Sequence, residues 1–266
     1  MISSNIDKIQ DRIRLLEEYM RSQVLVGSSF ICRTFQQCRA SRSEFPFYEG
    51  QLSHIGNYFD LEVDGHPTRI VLVGQEYGHA PAKVDLKARS IKIGDSAQAG
   101  FQGRNPHMKG TTSLLRLLLG REPGIDANGE RLMDGHIFDG FALVNYLLCT
   151  ALKEPRNEDA HGGGKGHSSS TMNRNCGRHF LRTLEILDPT VIVVQGKGVR
   201  QWLASTLFLP RRGPTAEIVD IAGKPVDLLT FNHPSAGGSA GWRGNSPQSR
   251  YLRETVAPVI KTFLAS

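Results

Sequence analysis

The sequence predicts a three-layer α/β/α domain with a central four-stranded parallel sheet, and three observations lead there. Four short runs of β-branched and apolar residues read as strands buried on both faces. Helical patterns lie between them, and such alternation implies parallel strands joined by right-handed crossovers. The length of 266 residues fits one α/β domain, so residues 1–266 are expected to form a single unit.

Over residues 5–21, Ile6, Ile9, Ile13, Leu16 and Tyr19 recur every three to four positions among charged residues, the period of an amphipathic helix. Residues 40–66 have no sustained period and read as loop, with a short strand at 58–63. The first core strand is Arg69 to Gly74, and the second is Gly140 to Leu148, with a helix over Thr111 to Leu119 between them. Residues 158–170, with Gly162-Gly163-Gly164 and Ser168-Ser169-Ser170, read as a flexible loop. A helix over Asn173 to Leu187 leads to the third strand, Thr190 to Gly196. A helix over Gly198 to Leu207 precedes the fourth, Val226 to Asn232, and a helix over Pro247 to Leu264 closes the chain.

Composition removes several classes. A hydrophobic fraction of 39% with 22% charge argues against disorder, and the 28 glycines have no triplet period. No run approaches the roughly 18 apolar residues that span a bilayer, and the first residues lack an apolar signal core. The expected location is the cytoplasm, with no membrane partner. The 32 Lys and Arg against 26 Asp and Glu leave a net charge of +6, which permits a polyanionic partner and equally describes a solvated basic surface.

Four cysteines in a reducing compartment are either buried small hydrophobes or metal ligands. Five residues separate Cys32 from Cys38, and twenty-six separate Cys149 from Cys176. Two remote pairs of thiolates suit an iron–sulfur cluster or a structural zinc, and this spacing leaves both readings open.

In a parallel sheet, ligands bind beyond the C-terminal ends of the strands. There the first strand runs into Gly74-Gln75-Glu76-Tyr77-Gly78-His79, the second carries Asn145, and the fourth runs into Asn232-His233-Pro234-Ser235-Ala236-Gly237-Gly238. Further ordered features are Pro106-His107-Met108-Lys109-Gly110 before Leu114-Leu115, Pro155-Arg156-Asn157 after Cys149, and Cys176 before Asp188-Pro189-Thr190-Val191. Together this series, over roughly residues 30–240, resembles the uracil-DNA glycosylase superfamily, and its iron–sulfur branch in particular. Val73 to Gly78 is similar to the family's G-E-A-P-G and G-Q-D-P-Y-H motifs, and His233-Pro234-Ser235 to its H-P-S motif.

The resemblance implies a monofunctional DNA glycosylase that removes uracil or a related deaminated base from DNA, acting as a monomer. It implies that Cys32, Cys38, Cys149 and Cys176 ligate a [4Fe–4S] cluster with a structural role. Glu76 would orient the attacking water, and His233 would donate to the uracil O2 as charge develops. Asn145 would read the base edge, since one amide both donates and accepts. The backbone from Gly74 and Gln75 to Gly78 would approach the uracil carbonyl or a phosphate. Ser235 would hold the DNA backbone, and Trp242 and Arg243 would supply an inserted wedge or a phosphate contact. The chain departs from the family at three places: His107 stands where the stacking aromatic is expected, Tyr77 stands for the motif proline, and Cys32 and Cys38 are spaced more widely than the family's C-x-x-C; His107, Met108 or Tyr77 would then supply the platform under the flipped base. No K-R-R-I-H insert of the covalent uracil-binding members is present, and no Lys is placed for a Schiff base. Two other classes stay open: a non-catalytic nucleic-acid binder of the same fold, and an enzyme acting on small nucleotides.

Overall fold

The computed structural model describes residues 1–78, 83–153, 166–237, 241–242 and 249–265. Its central sheet has six strands: β1 (His54–Ile55), β2 (Ile70–Gly74), β3 (Phe141–Asn145), β4 (Val191–Gln195), β5 (Ala216–Ile221) and β6 (Lys224–Phe231). They lie in the order β5-β6-β4-β2-β3-β1. The neighbours β6, β4, β2 and β3 run parallel, while β1 and β5 pair antiparallel at the two edges. The sheet is therefore mixed and wider than the four strands expected.

Each added strand has a local reason to escape a sequence pattern. The β1 strand is two residues long, too short for any period. The β5 strand carries Glu217 and Asp220 and leaves Ile218 exposed, so its apolar content does not mark a core strand. It joins β6 through Ala222 and Gly223, both at positive φ, the backbone of a tight two-residue hairpin turn.

Six helices frame the sheet and the site at its edge: α1 (Ile6–Gln23), α2 (Leu86–Gln98), α3 (Pro106–Leu118), α4 (Ser170–Leu187), α5 (Lys197–Thr206) and α6 (Ala257–Leu264). Successive residues of a strand point to opposite faces. Val71, Val73, Ile192 and Val194 accordingly share one core with Leu16 and Met20 of α1, Phe180 and Leu184 of α4, and Leu203 of α5. Ile70, Leu72, Leu143 and Val193 share the other with Leu114 and Leu118 of α3 and Ile260 of α6. Full burial of each such aliphatic side chain contributes roughly 1.5–3 kcal/mol, which pins the strand register and with it the strand ends. Ile6, counted in the apolar stripe of α1, lies exposed beside the N-cap Asn5, whose side chain accepts from Lys8 N at 3.0 Å.

Two segments differ from expectation. Residues 40–66 hold short strands as well as loop: Phe47–Glu49 pairs with Cys149–Ala151, and Leu61–Val63 lies between Ile2–Ser4 and His66–Thr68. In the segment read as flexible, residues 158–165 lie outside the described residues, while 166–170 are fastened. Arg42 Nε donates to His167 O at 2.6 Å and its Nη2 to Ser168 O at 3.1 Å, and Ser169 caps α4 by accepting from Met172 N at 3.1 Å. Among the described residues no helix is long and apolar enough to cross a membrane.

Candidate functional site at the strand ends

The parallel register sets Asn145, the last residue of β3, directly opposite Gly74, the last of β2. Beyond the sheet the two chains stay paired, with Tyr146 N donating to Gly74 O at 2.9 Å and Leu147 N to Gln75 O at 2.8 Å. This holds Gln75, Glu76 and Asn145 at one edge of the sheet. Asn145 is 5% exposed, and its Nδ2 has no hydrogen-bond partner among the described residues. A buried amide nitrogen without an acceptor loses its hydration and gains nothing, so its persistence requires a reason.

Glu76 is held on two sides. The Thr150 hydroxyl donates to its carboxylate, and a methyl group at Gly166 would collide with that same carboxylate. Burial pushes its pKa up to about 7, against which the Thr150 bond acts. A carboxyl group so poised exchanges its proton near neutral pH. The side chain of Gln75 is turned away to Ser168, with Nε2 donating to Oγ at 2.6 Å, so only the backbone of Gln75 remains for a ligand.

A second group of residues comes from α3 and the chain after β6. Asn105 caps α3 by accepting from Met108 N at 2.9 Å, which fixes His107 in the first turn. The His107 and His233 rings stand 5.3 Å apart between centroids, tilted by 40°. Burial first, then the charges of His233 and Arg89, lower the His107 pKa to about 3, so its ring is neutral. Burial also lowers His233. Ser235 N donates to His233 Nδ1 at 3.1 Å, which assigns the proton of the neutral ring to Nε2. Gln195, at the end of β4, is fully buried; its Nε2 donates to Thr111 Oγ1 at 3.0 Å, and its side chain also reaches the His107 ring, whose charged form it favours.

Arg89 links the two groups. Its guanidinium lies 4.2 Å from the centre of the Tyr77 ring, and its charge bears on His107. The expected residues thus fall into two sets, Gly74, Gln75, Glu76, Tyr77 and Asn145 in one and His107, His233 and Ser235 in the other. Arg89, Thr150, Gly166 and Gln195 had no signal in the sequence. Trp242 is not a surface wedge: it is 1% exposed, packs on Phe231 and Tyr251, and donates from Nε1 to Asn232 O at 3.2 Å. His79, Pro155 to Asn157, Gly238 and Arg243 lie outside the described residues.

The four cysteines lie elsewhere: Cys32 just before and Cys38 within the short helix Phe35–Ala40, Cys149 on the strand Cys149–Ala151 and Cys176 on α4. All four are free thiols, and Cys38, Cys149 and Cys176 are buried. Burial raises the Cys149 pKa, and the charges of Cys176, Cys38 and Cys32 raise it further. Burial pushes Cys176 up to about 12, with Cys38 and Cys32 adding to the rise. Thiols that perturb one another in this way share one region of the interior. Hydrogen-bonding groups face them: Asn175 Nδ2 donates to Cys38 Sγ at 3.3 Å, and His179 Nε2 lies 3.7 Å from Cys32 Sγ. Among the described residues, no group of three or more His, Cys, Asp or Glu is gathered to hold a metal ion.

Comparison of the chain with protein-family models finds no match, and comparison with curated proteins finds none either.

Proposed function

We propose that the protein is a DNA glycosylase that hydrolyses the N-glycosidic bond of uracil or a related deaminated base. The observation that carries this reading is the pairing, at the ends of β2 and β3, of a carboxyl group poised near pH 7 with a buried amide that has no acceptor among the described residues. The likeness to uracil-DNA glycosylases of the iron–sulfur branch rests on the ordered motifs, from Gly74-Gln75-Glu76 to His233-Pro234-Ser235.

The bond to be cut is hidden in stacked DNA, so the nucleotide must first turn out of the helix. The free Nδ2 of Asn145 then donates to the base carbonyl O4, and its Oδ1 accepts from N3–H. His233, neutral and protonated on Nε2, donates to O2 as the C1′–N bond lengthens and its electron pair passes to the base. Ionised Glu76 orients the water whose oxygen bonds to C1′, and takes up the proton released. The backbone after Gly74 and the turn at Ser235 hold the nucleotide and the adjoining phosphate.

The four thiols are also the residues that would hold a [4Fe–4S] cluster. Asn175 donates to Cys38 and His179 lies beside Cys32, and these contacts suit thiolates, whereas burial and the neighbouring cysteines hold Cys149 and Cys176 as thiols until a ligand takes their protons' place. When bound, the cluster supplies a crosslink tying Cys32 and Cys38 to α4 and the strand at Cys149.

The test is base release from duplexes carrying uracil, hypoxanthine or xanthine, read as strand breaks at abasic sites after alkali. Native protein is expected to release at least one of these bases, and Glu76→Ala and Asn145→Ala to lose release by about 100-fold or more. Binding to these duplexes without release would instead make the protein a non-catalytic binder.

A further inference from the structure

We propose that Arg89 receives the departing base as an anion, an assignment that rests on the glycosylase reading above. Arg89 sits on the inner face of α2 with Leu86 and Ile93, at a position where an amphipathic helix ordinarily buries an aliphatic residue. It is 8% exposed, and its Nε has no hydrogen-bond partner among the described residues. No carboxylate among the described residues forms an ion pair with it. The groups that face it are Tyr77, to which it is hydrogen-bonded and whose ring it lies over at 4.2 Å, and the imidazoles of His54 and His107, both held neutral by burial. Lys92 lies over the same tyrosine ring at 5.6 Å.

A buried guanidinium without an anion is costly, and it is retained where an anion arrives. Two potential anions differ in where they would lie. A phosphate stays with the DNA backbone at the surface, whereas Arg89 is buried against Tyr77, one residue past Glu76. The leaving base carries its new negative charge over a ring nitrogen and the adjacent carbonyl, an edge that a planar guanidinium meets with two donors. In the step itself the C1′–N electron pair goes to the base, Arg89 keeps its protons and balances the charge, and the proton of the attacking water goes to Glu76. His233 supplies a neutral donor to the same anion, and Arg89 supplies the full charge.

The test varies the acidity of the leaving group. Single-turnover release is measured for uracil and for 5-fluorouracil, a better leaving group, with native protein, Arg89→Met and Arg89→Lys, after thermal melting has verified that each is folded. Arg89→Met is expected to slow uracil release about 100-fold with KM within about threefold of native, and to slow 5-fluorouracil release at least about tenfold less. Arg89→Lys keeps the charge without the fork; it is expected to lie between the two and serves where Arg89→Met does not fold. Equal losses on both bases, or no loss, would overturn the assignment while leaving the glycosylase reading in place. No release of either base by native protein would overturn both.

Discussion

Replacing Gly110 with alanine tests the geometry of the site through a residue that touches no substrate. Gly110 lies on the buried face of α3, and a methyl group there would stand 2.6 Å from Cβ, 3.3 Å from Cγ and 3.4 Å from Cα of Pro234. Carbon atoms in good contact are about 3.5–4.0 Å apart, so Pro234 must retreat by about 1 Å. Pro234 sits between His233 and Ser235, and the retreat carries the His233 ring with it. Overpacking of this kind costs about 1–3 kcal/mol, offset by up to about 1 kcal/mol from the better helix propensity of alanine. Stability should therefore fall by no more than about 3 kcal/mol, while a displacement of about 1 Å at a reacting group lowers the rate by about 100-fold. The control is Gly94→Ala in α2, where nothing lies within 4 Å of the added methyl; it should stabilise by about 0.5–1 kcal/mol and leave the rate unchanged. Thermal melts and single-turnover base release read both effects. If Gly110→Ala released base at the native rate with a normal melt, the close packing of α3 against the His233 turn would not be what positions that histidine.

Titration and metal content supply the remaining expectations. Glu76 titrates near pH 7, so base release should rise as pH increases through about 7 and then level, and Glu76→Gln should lack that limb; a native profile flat from pH 5 to 9 would contradict the role. Stability should respond in the opposite direction for different groups. The folded pKa of Glu76 lies above its ordinary value of 4.5, so its contribution is present below about 4.5 and lost as pH rises to 7. His54 and His107, lowered from 6.5 to about 4 and about 3, contribute stability above 6.5 that is lost as pH falls, each by up to about 1.4 kcal/mol per pH unit. Two protons outweigh one, so melting should occur at lower temperature at pH 5 than at pH 6.5, and the reverse order would contradict the buried neutral histidines. Protein purified without oxygen should be brown with about four irons per chain, and Cys149→Ser should lower that content; colourless, iron-free native protein would refute the cluster.

The inner four strands were legible because residues such as Val71 to Val73 and Val191 to Val194 are apolar on both faces, a pattern that only a doubly covered strand needs. The edges were not, because β1 is two residues long and β5 places polar side chains among its apolar ones. Helix α2 escaped for a different reason: its buried face is Leu86, Arg89 and Ile93, and an arginine in the core position breaks the apolar period. That same arginine faces the candidate site, and chemistry tends to hide where the packing pattern fails. That Glu76, Asn145 and His233 lie near the ends of β2, β3 and β6 could be read in advance, because each directly follows or closes an apolar strand run. Thr150, Gly166 and Gln195 could not, since they act through contacts between segments distant in sequence. Trp242 stayed open between an inserted wedge and simple packing, because a tryptophan after a glycine-rich turn looks the same in sequence whether it packs inward or reaches out.

Hydrolysis of a uracil-containing duplex in water enriched in oxygen-18, with the released base and the sugar product read by mass spectrometry, tests the proposed chemistry at the bond itself. Attack of a Glu76-oriented water on C1′ predicts free uracil carrying no label, an abasic sugar at the same position, and loss of both products with Glu76→Ala. No free base from uracil, hypoxanthine or xanthine duplexes, or a released base that carries the label, would contradict it.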